Sequence, residues 1–83
     1  MPPVSVTLLS KPGCHLCDDA RAVVSTVVDG RDVEVTELSI LDDPQLRETY
    51  AEEIPVVLVD GRVHTIWRVD PARLDHALTE AGS

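Results

Sequence analysis

The feature that most constrains this chain is the stretch Ser10-Lys11-Pro12-Gly13-Cys14-His15-Leu16-Cys17, which holds both of its cysteines. It sits where one kind of apolar pattern gives way to another. Val4-Ser5-Val6-Thr7-Leu8-Leu9 alternates and then ends in two leucines, as a strand buried on at least one face does. From Leu16 onward, Leu16, Ala20, Val23, Val24, Val27 and Val28 fall on one helical face, with Asp18, Asp19, Arg21 and Ser25 opposite. Asp29-Gly30 ends that helix. A thiol between the two elements therefore opens a helix, where backbone N–H groups lack partners and the dipole is positive. Both features favour the thiolate, which is the nucleophilic form.

The elements that follow can be read in the same way. Asp32 to Ile40 forms a second strand, in which Val33 and Val35 are in phase while Leu38 and Ile40 have the opposite parity. That pattern requires burial on both faces or a bulge near Glu37. Strand, helix and strand make a right-handed βαβ unit with parallel strands. Asp43 as N-cap and Pro44 at the first helical position open a shorter helix, with Leu46 and Tyr50 on its inward side. It must end before Ile54-Pro55, because the residue preceding a proline avoids helical backbone.

Pro55 to Val59 is a continuous apolar run and reads as a central strand, with proline tolerated at its first position. Asp60-Gly61 is a strong hairpin signal, so Arg62 to Trp67 returns antiparallel. Asp70-Pro71 repeats the cap-then-proline start, and Leu74, Ala77, Leu78 and Ala81 line one face of a closing helix. After a short lead-in at Met1-Pro2-Pro3, the order is β-α-β-α-β-β-α. This predicts a single α/β domain over residues 1–83, with a four-stranded mixed sheet flanked by three helices.

Charge and cysteine usage narrow the function. A net charge of −8 leaves no cationic footprint for nucleic acid or for anionic membrane surfaces. The sequence shows no charged n-region followed by an apolar h-region and no apolar run that approaches a membrane span, so neither a secretory leader nor a membrane anchor is expected. Two cysteines cannot form the disulfide framework of a small secreted domain, so a cytoplasmic setting and a catalytic or metal-binding CxxC are expected. Haem attachment is excluded, since Asp18 and not histidine follows the motif.

A CxxC opening the helix of a βαβ unit is a thioredoxin-like pattern. Over essentially its whole length the chain resembles the glutaredoxin-like members of the thioredoxin-fold superfamily. The matching residues are Lys11, Cys14-His15-Leu16-Cys17 after the first strand, Ile54-Pro55 heading the third, and the Asp60-Gly61 hairpin. The resemblance implies a thioredoxin-like fold and a dithiol–disulfide oxidoreductase acting on protein disulfides or glutathione mixed disulfides. It also implies a cis Pro55 beside the thiols, with the Ile54 backbone offered to an extended substrate.

By position, Cys14 is the attacking thiolate and Cys17, one turn into the helix, the resolving thiol. A protonated His15 would favour the thiolate, whereas Asp18 and Asp19 oppose it; either aspartate also stabilises the helix start. Lys11, the only lysine, matches the position that glutaredoxins hold near the glutathione carboxylate. The expected site is therefore Cys14 and Cys17 with Lys11, His15, Leu16, Ile54 and Pro55. No tightly bound cofactor is expected. Glutathione is a candidate co-substrate, an external thiol the reductant, and a monomer the expected state.

Beyond the hairpin the chain departs from glutaredoxins. They carry a Gly-Gly pair and acidic residues after the fourth strand, and Pro-Tyr within the motif. This chain has Thr65-Ile66-Trp67-Arg68-Val69-Asp70 and His15-Leu16. The resemblance therefore does not carry glutathione over as the dedicated substrate. Trp67 and Arg68 either form a site of their own or, more plainly, the tryptophan fills the edge of the core. Two other classes stay open: a zinc or iron–sulfur module using Cys14 and Cys17, with His15, His64 and His76 as candidate ligands, and a non-catalytic adaptor.

Overall fold

The computed structural model describes residues 3–82, so Met1 and Pro2 of the expected lead-in lie outside the described residues. The elements are β1 (Val4–Ser10), α1 (His15–Val28), β2 (Val33–Ser39), a 3₁₀ turn (Ile40–Asp42), α2 (Pro44–Tyr50), β3 (Val56–Val59), β4 (Arg62–Ile66) and α3 (Pro71–Glu80). They form one mixed sheet in the order β2-β1-β3-β4, with β1 parallel to β2 and antiparallel to β3, and β3 antiparallel to β4.

Local chemistry accounts for the joints. The Asp43 carboxylate accepts the Gln45 N–H at 2.9 Å, and the Asp70 carboxylate accepts those of Ala72 and Arg73 at 2.9 and 3.3 Å, so both proline-led helices are capped as expected. Asp60 and Gly61 take φ of 51° and 82°, the two left-handed positions of a tight hairpin. Asp60 also accepts the Ser5 N–H at 3.0 Å, which fastens the turn to β1. Arg31, just past α1, bonds the Val27 carbonyl and reaches Thr79 and Asp75, tying the end of α1 to α3.

Alternation along β1 and β3 divides the core. Val4, Val6, Leu8 and Val57 pack with Ala20 and Val24 of α1 and Leu74 and Leu78 of α3. Leu9 and Val56 face the other way, into a second cluster with Cys17, Ile40 and Ile54, against which Leu46 and Tyr50 of α2 pack.

Four expectations need correction. β2 is neither buried on both faces nor bulged: it pairs with β1 in unbroken register as an edge strand, and Val35 is 46 % exposed. Ile40 is buried because the chain has already left the strand for the 3₁₀ turn, which explains its change of parity. The sheet's one irregularity lies in β4, where Thr65 pairs with Val57 and Val63 with Leu58, leaving His64 as the extra residue. Leu16, which its spacing puts on the buried helix face, is 39 % exposed, since it lines an open cleft with Trp67, Arg68 and Val69; Ala81, the cap of α3, is also exposed. β4 stops at Ile66, one residue short of the expected Trp67, because Trp67 adopts φ 67° and cannot continue a strand.

Candidate active site

Cys14 is the N-cap of α1. Its backbone is extended, its carbonyl accepts the Asp18 N–H at 3.2 Å, and its sulfur accepts the Cys17 N–H at 3.2 Å. One of the helix's orphan donors is thus aimed at the atom that would carry negative charge. Gly13, at φ 77°, makes the turn that brings the chain into this cap.

Cys14 is half-buried, whereas Cys17 is 0 % exposed and sits among Leu9, Ile40, Ile54 and Val56, with Cys14 at the margin of the same cluster. Burial pushes the Cys17 thiol up to about 11, and its hydrogen bond to Cys14 pushes the same way; the Lys11 backbone amide and the Arg21 guanidinium pull against this. Ile54 and Pro55 complete the place, both buried, joined by a cis peptide bond and leading into β3. Four of the residues expected from the sequence are therefore brought together: Cys14, Cys17, Ile54 and Pro55.

The other three are exposed and flank the motif. Lys11 lines a cleft toward β2 with Ser10, Pro12, Arg21, Glu37, Ser39 and Asp42. Leu16 lines a second cleft, of about 250 Å³, with Asp19, Ala20 and Val23 of α1 and with Trp67, Arg68 and Val69 after β4. His15 is the first residue of α1. Among the described residues no group of three or more His, Cys, Asp and Glu side chains is arranged to hold a metal ion. His64 lies within β4, and His76 pairs with Glu80 on α3 at 3.5 Å.

Two features escaped the sequence reading. Arg21 forms a bidentate pair with Glu37 of β2, at 2.6 Å through Nε and through the terminal nitrogen, and reaches Asp18 at 2.8 Å. Ser10 Oγ donates to the same Glu37 carboxylate at 2.9 Å. Arg21 first, then Ser10, hold the Glu37 carboxyl below its usual range despite some burial. Only the Asp18–Arg21 spacing is visible in sequence; Glu37 arrives through the fold.

The second feature is Trp67, which does not fill the core edge: it is 53 % exposed. Its N–H donates to the Pro55 carbonyl at 2.8 Å and its indole Nε1–H to the Glu52 carbonyl at 3.1 Å. Left-handed backbone costs a residue other than glycine on the order of 1–3 kcal/mol, and these two bonds hold it there. A lone tryptophan where glutaredoxins carry glycine was the available signal.

A dithiol at the mouth of the first helix, set beside a cis proline on a β-α-β-α-β-β-α frame, defines a thioredoxin-like fold. A mutant thioredoxin of Halobacterium salinarum NRC-1 superposes with a TM-score of 0.71, covering 98 % of this chain and 76 % of that one. At 19 % identity that is a likeness of fold alone. The chain belongs to the glutaredoxin-like domain family (DUF836), whose model matches residues 5–79. Protein XcR50 from X. campestris, known by X-ray structure, is 30 % identical with a TM-score of 0.73, covering 94 % of this chain and 99 % of its own. The uncharacterized protein Rv0508 of Mycobacterium tuberculosis is 35 % identical over 74 residues, covering 83 % of this chain and 76 % of the relative.

Proposed function

We propose that the protein is a dithiol–disulfide oxidoreductase in which Cys14 attacks and Cys17 resolves. The observation that carries this reading is the unequal pair: Cys14 is a half-exposed cap with an N–H aimed at its sulfur, and Cys17 is a sealed thiol pushed up to about 11. Membership of a glutaredoxin-like family supports it.

The Cys14 thiolate attacks a substrate disulfide R–S–S–R′, forming Cys14–S–S–R and releasing R′S⁻. Cys17 then gives up its proton, for which the departing R′S⁻ is the nearest acceptor, and attacks the Cys14 sulfur. RS⁻ leaves and a Cys14–Cys17 disulfide remains. Two electrons pass from the dithiol to the substrate, and an external thiol or dithiol returns them. The high proton affinity of Cys17 keeps it from competing for the first step; it becomes a nucleophile only once Cys14 is consumed and no longer charged.

Ile54, ahead of Pro55, offers backbone to an extended substrate. Lys11 supplies a cation for a substrate carboxylate, and His15 tunes the charge beside Cys14. No helix among the described residues is long and apolar enough to cross a membrane, and a monomer working in a reducing cytoplasm fits this chemistry.

The test is reduction of insulin and of a glutathione mixed disulfide, each with Cys14→Ser and Cys17→Ser. Cys14→Ser is expected to abolish both reactions, while Cys17→Ser accumulates mixed disulfide. Turnover unaffected by Cys14→Ser would refute the reading. The potential of the pair then separates thioredoxin-like reduction, near about −270 mV, from glutaredoxin-like exchange, at about −200 to −230 mV.

A further inference from the structure

The reading above leaves open what the site selects, and the ground beside Leu16 bears on it. Trp67 is the chain's single tryptophan, and its half-exposed indole forms one wall of the cleft whose other wall is Leu16, Asp19, Ala20 and Val23 of α1. Leu16 precedes Cys17 directly, so the cleft opens within the motif itself. Trp67 also grips the cis-proline loop at two points, Pro55 and Glu52, and the turn after it is closed by Arg68 N–H to the Ile66 carbonyl and Thr65 Oγ to the Arg68 carbonyl. The wall is therefore held in place by the same loop that offers Ile54.

Size and charge narrow the occupant. The cleft measures about 250 Å³, below the roughly 300–1,000 Å³ of sites that enclose a whole small molecule. It has room for one large side chain. Asp19 lies in the cleft and Glu52 and Glu53 on the loop that Trp67 grips, against Arg68 as the cleft's one cation, in a chain of net charge −8. Such a rim disfavours a ligand with two free carboxylates, as glutathione has, and attracts a segment with basic residues.

We propose that Trp67 is the specificity-determining residue: with Leu16 it receives the bulky apolar side chain next to the reacting cysteine of a basic protein segment, in preference to glutathione. The inference rests on the dithiol-exchange reading. Left-handed backbone at an exposed tryptophan, maintained by two hydrogen bonds to the cis-proline loop, then has a purpose: it sets the indole across the cleft from Leu16, the residue beside Cys17.

The test uses Cys17→Ser protein and three mixed disulfides of thionitrobenzoate: a Phe-Cys peptide flanked by lysines, the same peptide with glycine for phenylalanine, and glutathione. Attack by the Cys14 thiolate forms Cys14–S–S–peptide and expels coloured thionitrobenzoate, so each rate is read directly. The Phe peptide is expected to react at least about tenfold faster than either other substrate, a pocket-sized discrimination. Its capture should also shift Trp67 emission to the blue.

Trp67→Gly, which relaxes at this φ and keeps the fold, should bring the three rates together. Trp67→Phe, lacking the bond to Glu52, should retain part of the preference. Equal discrimination with and without Trp67, or capture with no change in emission, overturns the assignment while exchange at Cys14 stands. Release of thionitrobenzoate from none of the three overturns the exchange reading and this inference with it.

Discussion

On the face of the sheet covered by α1 and α3, Val4, Val6, Leu8 and Val57 meet Ala20, Val24, Leu74 and Leu78, a cluster of aliphatic side chains alone. On the other face Leu9, Ile40, Ile54 and Val56 pack around Cys17, with Cys14 at the rim. Each side also carries a partly or fully buried titratable group, shifted in opposite directions. Cys17 is pushed up by burial, and His64, in β4 and within reach of the Arg73 charge on α3, is pushed down by burial and by that charge. Both shifts favour the neutral form. The comparison teaches a division of labour: one face supplies cohesion through aliphatic contacts alone, while the other gives part of its packing to a thiol that burial holds neutral.

The division is broken most forcefully through the aliphatic face. Leu78 is fully buried, and Leu78→Ala should cost about 2–5 kcal/mol, a large part of the ~5–15 kcal/mol available to a small domain. Urea unfolding measures this, and thiol alkylation against pH measures its reach. If the faces are independent, the Cys17 titration stays where it is. A displaced titration would mean that the two clusters are one.

Next in size is the alkaline limb. The folded pKa of Cys17 lies above the unfolded value, so its contribution to stability is complete below about 8.5 and is lost as pH rises toward about 11. Denaturation midpoints between those limits should fall for the wild type and much less for Cys17→Ala. The acid limb belongs to His64, whose Nε2 is buried with no hydrogen-bond partner among the described residues. Its folded pKa is depressed, so its contribution is present above about 6.5 and lost as pH falls through the lower folded value. His64→Leu should flatten that limb and leave the alkaline one untouched.

What was legible in the sequence were the features that local chemistry decides. Asp43-Pro44 and Asp70-Pro71 are helix starts wherever they fall, Asp60-Gly61 is a hairpin, and a CxxC between a strand and a helical face places its first cysteine at a cap. The rest depends on neighbours. Parity along β2 records which side chains are apolar but not that the strand has a partner on one side only, so Leu38 and Ile40 suggested burial on both faces or a bulge that β2 lacks. No local chemistry in Thr65-Ile66-Trp67 makes Trp67 left-handed, because the bonds that hold it come from Glu52 and Pro55 on another loop; the place where glutaredoxins carry glycine was the one signal. The Glu37–Arg21 clamp was hidden for the same reason: its two halves lie on different elements.

That clamp yields the smallest predicted effect and the sharpest probe of the boundary between the faces. Arg21 sits one turn after Cys17, and its charge lowers the thiol's pKa, but Glu37 and Asp18 neutralise most of that charge. Glu37→Gln keeps an acceptor for Ser10 while removing a negative charge from Arg21. Its direct effect on stability should be slight at neutral pH, as for other exposed ion pairs, and weaker still in high salt. The carboxyl's contribution is present above about 4.3 and lost as pH falls through its depressed folded value, a window well below that of His64. The effect on chemistry has the opposite reach: an Arg21 freed of its partner should draw the Cys17 titration downward and speed resolution of a Cys14 mixed disulfide. Alkylation of Cys17 against pH, measured in Cys14→Ser and in Cys14→Ser/Glu37→Gln proteins, reads that shift. An unchanged titration would show that the edge strand holds α1 in place without reaching the buried sulfur.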